Sequence, residues 1–461
     1  MVRRSDLVLV LLCSTMFLNV LNLSSVNIAL PEIAADLGFS EATLPWVISA
    51  YALTFAGFLL VGGRAADLLG RRKVLAAGFA TFGIFTLLDA LAAGPGMLIA
   101  ARGLQGIGAA ITIPAALGIL TNTFSEGAER SRAVAAFAAA GAVGFGCGLI
   151  LGGVVTDALG WRWVFGLTVP AVALLCALTF VLLAPDPAGR HEDGGIDLPG
   201  AVTATLGLLG LVFALTNGAE AGWSAPSTLV AVVTGIALLV AFVVLQARVR
   251  EPLMPLAIWA LPNFGPVMAI AFCMYAAWVG VNFFLALTLQ HVLGYSPTEA
   301  GLALLPLAVG GLIGSTVAGR LLPRTGVKRL LTIGLSLYVG GIVLVAFIDG
   351  DSSYWLHIFA AVTLPVVGNS LTWVACSVTA LAGAAPDEQS LVGGLFNASL
   401  QVGGGFGLAA MSAVAATRID PGAAGDALLP AYHAALWTAV GIATVALLIA
   451  LLFVRVTPTA A

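Results

Sequence analysis

Fourteen apolar runs divide the chain, separated by short stretches that hold its charge and much of its proline. They fall near residues 7–30, 44–62, 74–93, 97–120, 133–157, 163–184, 198–217, 226–247, 264–288, 298–318, 330–347, 354–380, 390–416 and 433–454. A helix needs about 20 apolar residues to cross the roughly 30 Å hydrocarbon layer. The pattern predicts an all-α integral membrane protein, multi-pass, whose backbone hydrogen bonds close within each helix. The first run follows "MVRR", as a leader peptide would. Its length, and the many similar runs after it, predict an uncleaved first helix instead.

Composition agrees. Of 461 residues, 60% are hydrophobic and 9% charged, and mean hydropathy is +1.07. A net charge of −3 argues against a nucleic-acid partner. Cys13, Cys147, Cys176, Cys273 and Cys376 all lie in apolar runs without a CxxC, and read as packing residues rather than a disulfide framework. Two lysines beside abundant alanine and glycine point to a GC-rich bacterial genome.

Charge tests the count of spans. With a cytoplasmic N-terminus and alternating loops, 16 of the 19 Lys and Arg face inward: Arg3, Arg4, Arg64, Arg71, Arg72, Lys73, Arg130, Arg132, Arg190, Arg248, Arg250, Arg320, Arg324, Lys328, Arg329 and Arg455. Arg162 and Arg418 face outward, and Arg102 lies within a span. Cytoplasmic loops retain positive charge, so this split predicts an even number of spans with both termini inside the plasma membrane. The outer loops carry acids: Glu32, Asp36, Glu41, Asp349 and Asp351.

A repeat is visible too. "GGRAADLLGRRKVL" (62–75) follows the second run and "AGRLLPRTGVKRLL" (318–331) the tenth, both with glycines seven apart and a basic cluster. Duplicated bundles produce such a pattern. It predicts a six-helix bundle over 1–184, a linker with two extra helices over 185–261, and a second six-helix bundle over 262–461. Hydrophilic "PDPAGRHEDGGID" (185–197) and "EPLMPLAIWALPNF" (251–264) read as connectors.

In these residues the chain resembles the major facilitator superfamily, and within it the fourteen-helix drug:proton antiporters, along almost its whole length. Gly63, Ala65, Ala66, Asp67, Gly70, Arg71 and Arg72 stand at the spacing of the superfamily's signature loop between helices two and three. "LIAARGLQGIGAA" (98–110) matches the fourth-helix motif at Arg102, Gln105, Gly106 and Gly108. "VNIALPEIAADLG" (26–38) and "WVISAYAL" (46–53) are similar to the family's first two helices, and "LQHVLGYSPTEAGLALLPLAVG" (289–310) and "GGLFNASLQVGGGFGLAA" (393–410) to its C-terminal half. The resemblance implies a secondary exporter of small amphipathic compounds, drugs or a self-made antibiotic, that works by alternating access against proton entry. Its partners are then a small molecule, protons and membrane lipid. It implies a monomer without a cofactor.

The resemblance gives Gly63, Asp67, Gly70, Arg71 and Arg72 a gating role. Glycines admit a close helix, Asp67 accepts from a helix N-terminus or pairs with an arginine such as Arg130, and the basic residues hold acids or anionic lipid heads. A topology anchor is the alternative, although Asp67 adds nothing to anchoring. Arg102 in mid-span costs about 2.5–3.5 kcal/mol and needs a polar partner. The family ties the matching arginine to proton coupling; a structural ion pair is the plainer alternative. Gln105, three residues on, shares its face. Gly141, Gly144, Gly148 and Gly152 line one side of the fifth helix for close packing.

Three positions depart from the family. Asn22 stands where many members have an aspartate, Leu149 where the antiporter signature has a proline, and Pro323 where the second-half loop has its acid. Asp89, near the outer end of the third helix, is the acid clearly inside a span. It is either a proton-responsive cavity group or a solvated residue at the interface. With little fixed negative charge inside, neutral or weakly charged substrates fit best. Candidate cavity residues are Asn22, Asn27, Trp46, Tyr51, Tyr275, Trp278, Asn282, Gln290, Asn369, Asn397 and Gln401, aromatics for stacking and amides for neutral hydrogen bonds. Helix packing and the interfacial belt compete for the same residues. His191, His291, His357 and His433 have no metal-ligand spacing, and His291 reads as solvated at a helix end. An uncoupled facilitator of the same fold, a membrane sensor and a membrane enzyme are the rival functions. No soluble signalling segment, catalytic constellation or phosphate-binding loop supports the last two.

Overall fold

The structure, a computed structural model, describes residues 4–40, 43–125, 127–184, 197–249, 252–382, 384, 389–419 and 425–455. Arg3, Glu41, Arg190, His191, Arg250 and most of the 185–197 connector lie outside the described residues. Among the described residues, fourteen helices are long and apolar enough to span a membrane. They are α1 (Arg4–Leu37), α2 (Trp46–Leu69), α3 (Arg71–Ala90), α4 (Pro95–Thr123), α5 (Arg132–Leu159), α6 (Arg162–Leu182), α7 (Leu198–Ala219), α8 (Pro226–Gln246), α9 (Phe264–Val292), α10 (Pro297–Thr325), α11 (Val327–Val345), α12 (Tyr354–Leu381), α13 (Leu391–Ala416) and α14 (Gly425–Phe453). No strand occurs among the described residues. Each predicted run is a helix, and the fold is the expected one: two six-helix bundles with two extra helices.

Outward faces are apolar, as lipid requires. Val230, Val233 and Val240 of α8 are 64%, 66% and 57% exposed. All five cysteines are free, with Cys376 buried and the others half-buried.

The main difference from the predicted elements concerns the signature stretch. Residues 62–73 are not a loop. Helix α2 continues to Leu69 and α3 starts at Arg71, leaving Gly70 alone between them at φ 100°. In the repeat, Gly326 (φ 75°) alone separates α10 from α11. Left-handed backbone of this kind favours glycine, which has no Cβ to collide. One residue therefore makes each turn, and its charged neighbours sit on helix ends.

Contacts divide the chain into two compact units. One comprises residues 1–39, 46–206 and 238–253; the other comprises 40–45, 207–237 and 254–461. In the first unit α1 packs on α5, α4 on both α2 and α3, and α3 on α6. In the second, α9 packs on α13, α12 on both α10 and α11, and α11 on α14. The same pairings recur in the same order.

Glycine makes the tightest of these contacts. All four glycines named on α5 face α1. A Cβ at Gly144 would stand 2.5 Å from Phe17 O, at Gly148 2.6 Å from Leu21 O, and at Gly152 2.6 Å from Ser25 Cα. At Gly141 it would meet Met16. On α13, a Cβ at Gly403 or Gly407 would likewise collide with the Phe272 or Ala276 carbonyl of α9, 2.3 Å away in each case. Leu149 is buried in an unbroken α5. The first part of α7, up to Leu206, belongs to the first unit, where Gly57 of α2 leaves room for Thr205.

Because the obstacle at Gly144 is backbone, Gly144→Ala should force α1 and α5 apart at a cost of about 1–3 kcal/mol. Thermal unfolding in detergent should show a clear loss there. Gly319→Ala, with nothing within 4 Å of its Cβ, should melt like wild type.

Candidate functional site

Arg102 organises the interior of the first unit. It is fully buried on α4, where lipid-like surroundings offer a guanidinium nothing. Its Nε donates to Val47 O on α2 (3.0 Å). Its Nη1 donates to Asn22 Oδ1 on α1 (2.9 Å) and to Gln105 Oε1 one turn along α4. The Tyr51 ring lies 4.5 Å from the guanidinium carbon and the Phe165 ring 5.9 Å. The Gln105 amide passes the connection on to Thr86 Oγ1 of α3 (2.6 Å), and that hydroxyl donates to Phe82 O. Five helices thus meet at one cation.

The network is incomplete: the Asn22 amide nitrogen is buried without a partner, and a second gap involves charged groups. Arg102 Nη2 and both carboxyl oxygens of Asp89 are buried without a hydrogen-bond partner. Asp89 lies three residues beyond Thr86, on the same face of α3. Arg102 and Asp89 are each a charged neighbour acting on the other. Asp89 has no exposed surface, so the solvated interfacial alternative does not hold for it.

The family motif on α4 divides its labour by face. Arg102 and Gln105 point into the polar cluster, Gly106 admits the Tyr51 carbonyl of α2 (2.4 Å from a Cβ), and Gly108 admits Phe82 of α3. Thr86, Val47, Phe165 and Thr54, whose hydroxyl donates to Gly103 O (2.7 Å), complete the surroundings. Sequence reasoning passed over these four. Thr86 is the one with a signal, a hydroxyl one turn before Asp89, the acid that the sequence places clearly inside a span.

At the basic ends of the helices, Arg71 Nη2 and Nε donate to Asp67 Oδ1 (2.8 and 3.2 Å), and Arg71 Nη1 donates to Gly118 O of α4 (2.6 Å). Asp67 therefore pairs with Arg71, not Arg130, because the single-residue turn at Gly70 brings positions four apart together. Arg72 Nη2 donates to Phe180 O (2.7 Å) and Arg4 Nε to Leu182 O (3.1 Å). Both saturate carbonyls in the last turn of α6, where positive charge also meets the helix dipole favourably. The close-approach glycine is Gly62, whose Cβ would lie 2.3 Å from Ala110 O; at Gly63 the nearest atom, in Pro114, is an ordinary 3.6 Å away. Gly118 leaves room for the Arg71 guanidinium.

At the other end of the first unit, Arg162 binds Asp36, donates to Ala92 O (3.1 Å) and stacks on Trp161, whose indole also donates to Asp36 (3.0 Å). Arg162, exceptional in the charge pattern, thus has a local anchor.

The remaining cavity candidates are scattered. Asn22 and Tyr51 are buried against Arg102, while Asn27 and Trp46 are half-buried, with the Asn27 amide on Leu23 O (3.1 Å). In the second unit Tyr275, Trp278, Asn282, Gln290, Asn369 and Gln401 are half-buried and Asn397 is exposed. Tyr275 packs over Gly404, and the amides of Asn282 and Asn397 donate to carbonyls of their own helices. Gln290 lies in a π-turn, Thr288–Val292, that ends α9. His291 in that turn is half-buried and bonds Tyr432 OH (3.0 Å), so it is not the solvated residue expected.

The chain matches the Major Facilitator Superfamily model over residues 12–407 and again over 267–461. It belongs to that superfamily. As a superfamily member it is a transporter of small molecules and not an enzyme. It is 39% identical over 411 residues to the cephamycin export protein CmcT of Amycolatopsis lactamdurans, covering 88% of this chain and 84% of that one. It is 37% identical over 447 residues to the puromycin resistance protein pur8 of Streptomyces alboniger, covering 94% and 88%. The methylenomycin A resistance protein of Streptomyces coelicolor shares 30% over 400 residues, covering 87% and 83%. Among solved structures, a point mutant of the nucleoside transporter NupG superposes with a TM-score of 0.71 at 12% identity, covering 97% of this chain and 100% of that one. A bacterial homologue of the human lysosomal transporter Spinster gives 0.69 at 19%, covering 98% and 96%. These two show the shared fold.

Removing the Asp67 charge should release Arg71 from α2 while leaving the hydrophobic spans intact. Asp67→Asn should insert at the wild-type level and transport at a small fraction of the wild-type rate, measured as substrate uptake into vesicles. Wild-type flux would reduce this end of the molecule to an anchor.

Proposed function

We propose that this transporter exports neutral or weakly charged amphipathic compounds, of the antibiotic kind its relatives are named for, in exchange for protons by alternating access. The observation that carries proton coupling is the gap between Arg102 and Asp89. A buried carboxyl with no acceptor or donor nearby is suited to carrying a proton. On losing it, the carboxylate becomes the natural acceptor for the idle Arg102 Nη2. That movement pulls the guanidinium against Asn22 and Gln105, and so against α1, α3 and α4 together. Proton loss and helix packing are then coupled through one side chain.

The substrate is assigned to the half-buried aromatics and amides, with Tyr275, Trp278, Asn282, Asn369 and Gln401 in the second unit, and to the exposed amide of Asn397. Stacking surface and neutral hydrogen bonds suit uncharged amphipathic molecules. Arg71, Arg72 and Asp67 act as the gate on the basic face. That face is cytoplasmic, with both chain termini, on the support of the 16-to-2 division of basic residues. The domain limits follow as 1–184, 185–261 and 262–461 in the bacterial plasma membrane, and a single chain carries both bundles, so a monomer suffices.

One observation favours a facilitator of the same fold. Asn22, in the position of a frequent aspartate, is a neutral ligand of Arg102 and cannot titrate. Transport in proteoliposomes with an imposed pH gradient, across a panel of hydrophobic antibiotics, separates the two. Antiport expects accumulation that rises with the gradient and collapses with a protonophore; accumulation indifferent to the gradient would leave the facilitator. In the same assay Asp89→Asn should lose gradient-driven accumulation, about tenfold or more by analogy with the loss of a proton-transfer group. It should still bind substrate with near wild-type affinity, read by tryptophan quenching.

A further inference from the structure

The two half-repeats share spacing and differ in company. In the first, Arg71 is held by Asp67 and Gly118, and Arg72 by Phe180. In the second, Pro323 and Val327 occupy the places of Asp67 and Arg71, and Arg320, Arg324, Lys328 and Arg329 crowd around Gly326. Among the described residues, none of these four side chains has a hydrogen bond, ion pair or ring contact. Arg320, Arg324 and Arg329 are exposed and Lys328 is half-buried. No Asp or Glu lies between Glu299 and Asp349, which sit at the opposite ends of α10 and α11. Lys328 and Arg329 also stand in the first turn of α11, the helix end where positive charge is unfavourable. Among the described residues, four cations thus persist without a counter-charge; Asp387 and Glu388, in the connector after α12, lie outside them.

We propose that this basic edge of the second unit docks anionic phospholipid headgroups. Two features favour lipid over a dissolved anion. The cations cluster at the ends of two membrane spans, where lysine and arginine are drawn to an anionic lipid surface. They also continue apolar stripes. Ile313, Val317, Arg320 and Arg324 recur at helical spacing along α10, with Ile313 56% and Val317 38% exposed. Ile333, 44% exposed, stands four residues beyond Arg329 on α11. Apolar surface running into positive charge matches an acyl chain and its phosphate, and the long basic side chains can reach outward to the phosphate.

The test uses the full chain in nanodiscs of phosphatidylcholine, into which labelled phosphatidylglycerol is titrated. Wild type should retain phosphatidylglycerol over phosphatidylcholine. R320Q/R324Q and K328Q/R329Q should each lower that preference about fivefold or more. R320K/R324K should keep it, and R418Q, at the opposite end of the spans, should leave it unchanged. Absence of any preference in wild type would overturn the proposal without recourse to variants. So would an unchanged preference in both glutamine pairs. Displacement by inorganic phosphate beyond the effect of chloride at equal ionic strength would replace the lipid with a soluble anion, and would likewise overturn it.

Discussion

A guanidinium in the middle of a membrane span must be solvated by the protein around it, and much of the first unit is arranged to do so. Arg102 draws acceptors from α1, α2 and α4 and ring faces from α2 and α6. These helices approach closely because glycines remove side chains from the contacts: Gly106 against Tyr51, and Gly144 and Gly148 against α1. Small residues and a polar centre are thus parts of one solution. Close backbones shorten the reach to a buried charge, and the charge rewards the close backbones. The residual imbalance falls on Asp89, whose buried carboxyl has no hydrogen-bond partner while Arg102 Nη2 is also left unpartnered.

The two units show how a duplicated architecture can hold while its chemistry diverges. The pairings of α1 with α5 and of α9 with α13 both rest on glycine against backbone carbonyl. Such contacts depend on the absence of a side chain and survive wide change elsewhere. The polar content has not been kept in parallel. The first unit carries the arginine, the acid and a satisfied basic end. The second carries aromatics, amides and an unsatisfied one.

Much of this was legible in the chain itself. Fourteen spans followed from apolar length, and the i,i+3 relation of Arg102 and Gln105 put both in one cluster. The four glycines of α5 faced one neighbour as their spacing required. Sequence pattern was weaker where function depended on a neighbour distant in the chain. The partners Val47 and Thr86 are an ordinary carbonyl and an ordinary hydroxyl, identical in type to many others. Residues 62–73 looked like a loop because they are polar, yet charge at the end of a membrane helix is compatible with helical backbone. Asp67 and Arg71 then met across Gly70, a contact that only the turn geometry defines. Gly62 and Gly63 are indistinguishable in sequence, and only the position of Ala110 tells them apart.

The one-residue turns have a mechanical consequence. With Gly70 alone between α2 and α3, neither helix can slide along its axis without dragging the other, since no length of chain is left to take up slack. The same is true of α10 and α11 at Gly326. Each pair is therefore tied at one end, so that an axial shift of either helix is passed to its partner at that turn.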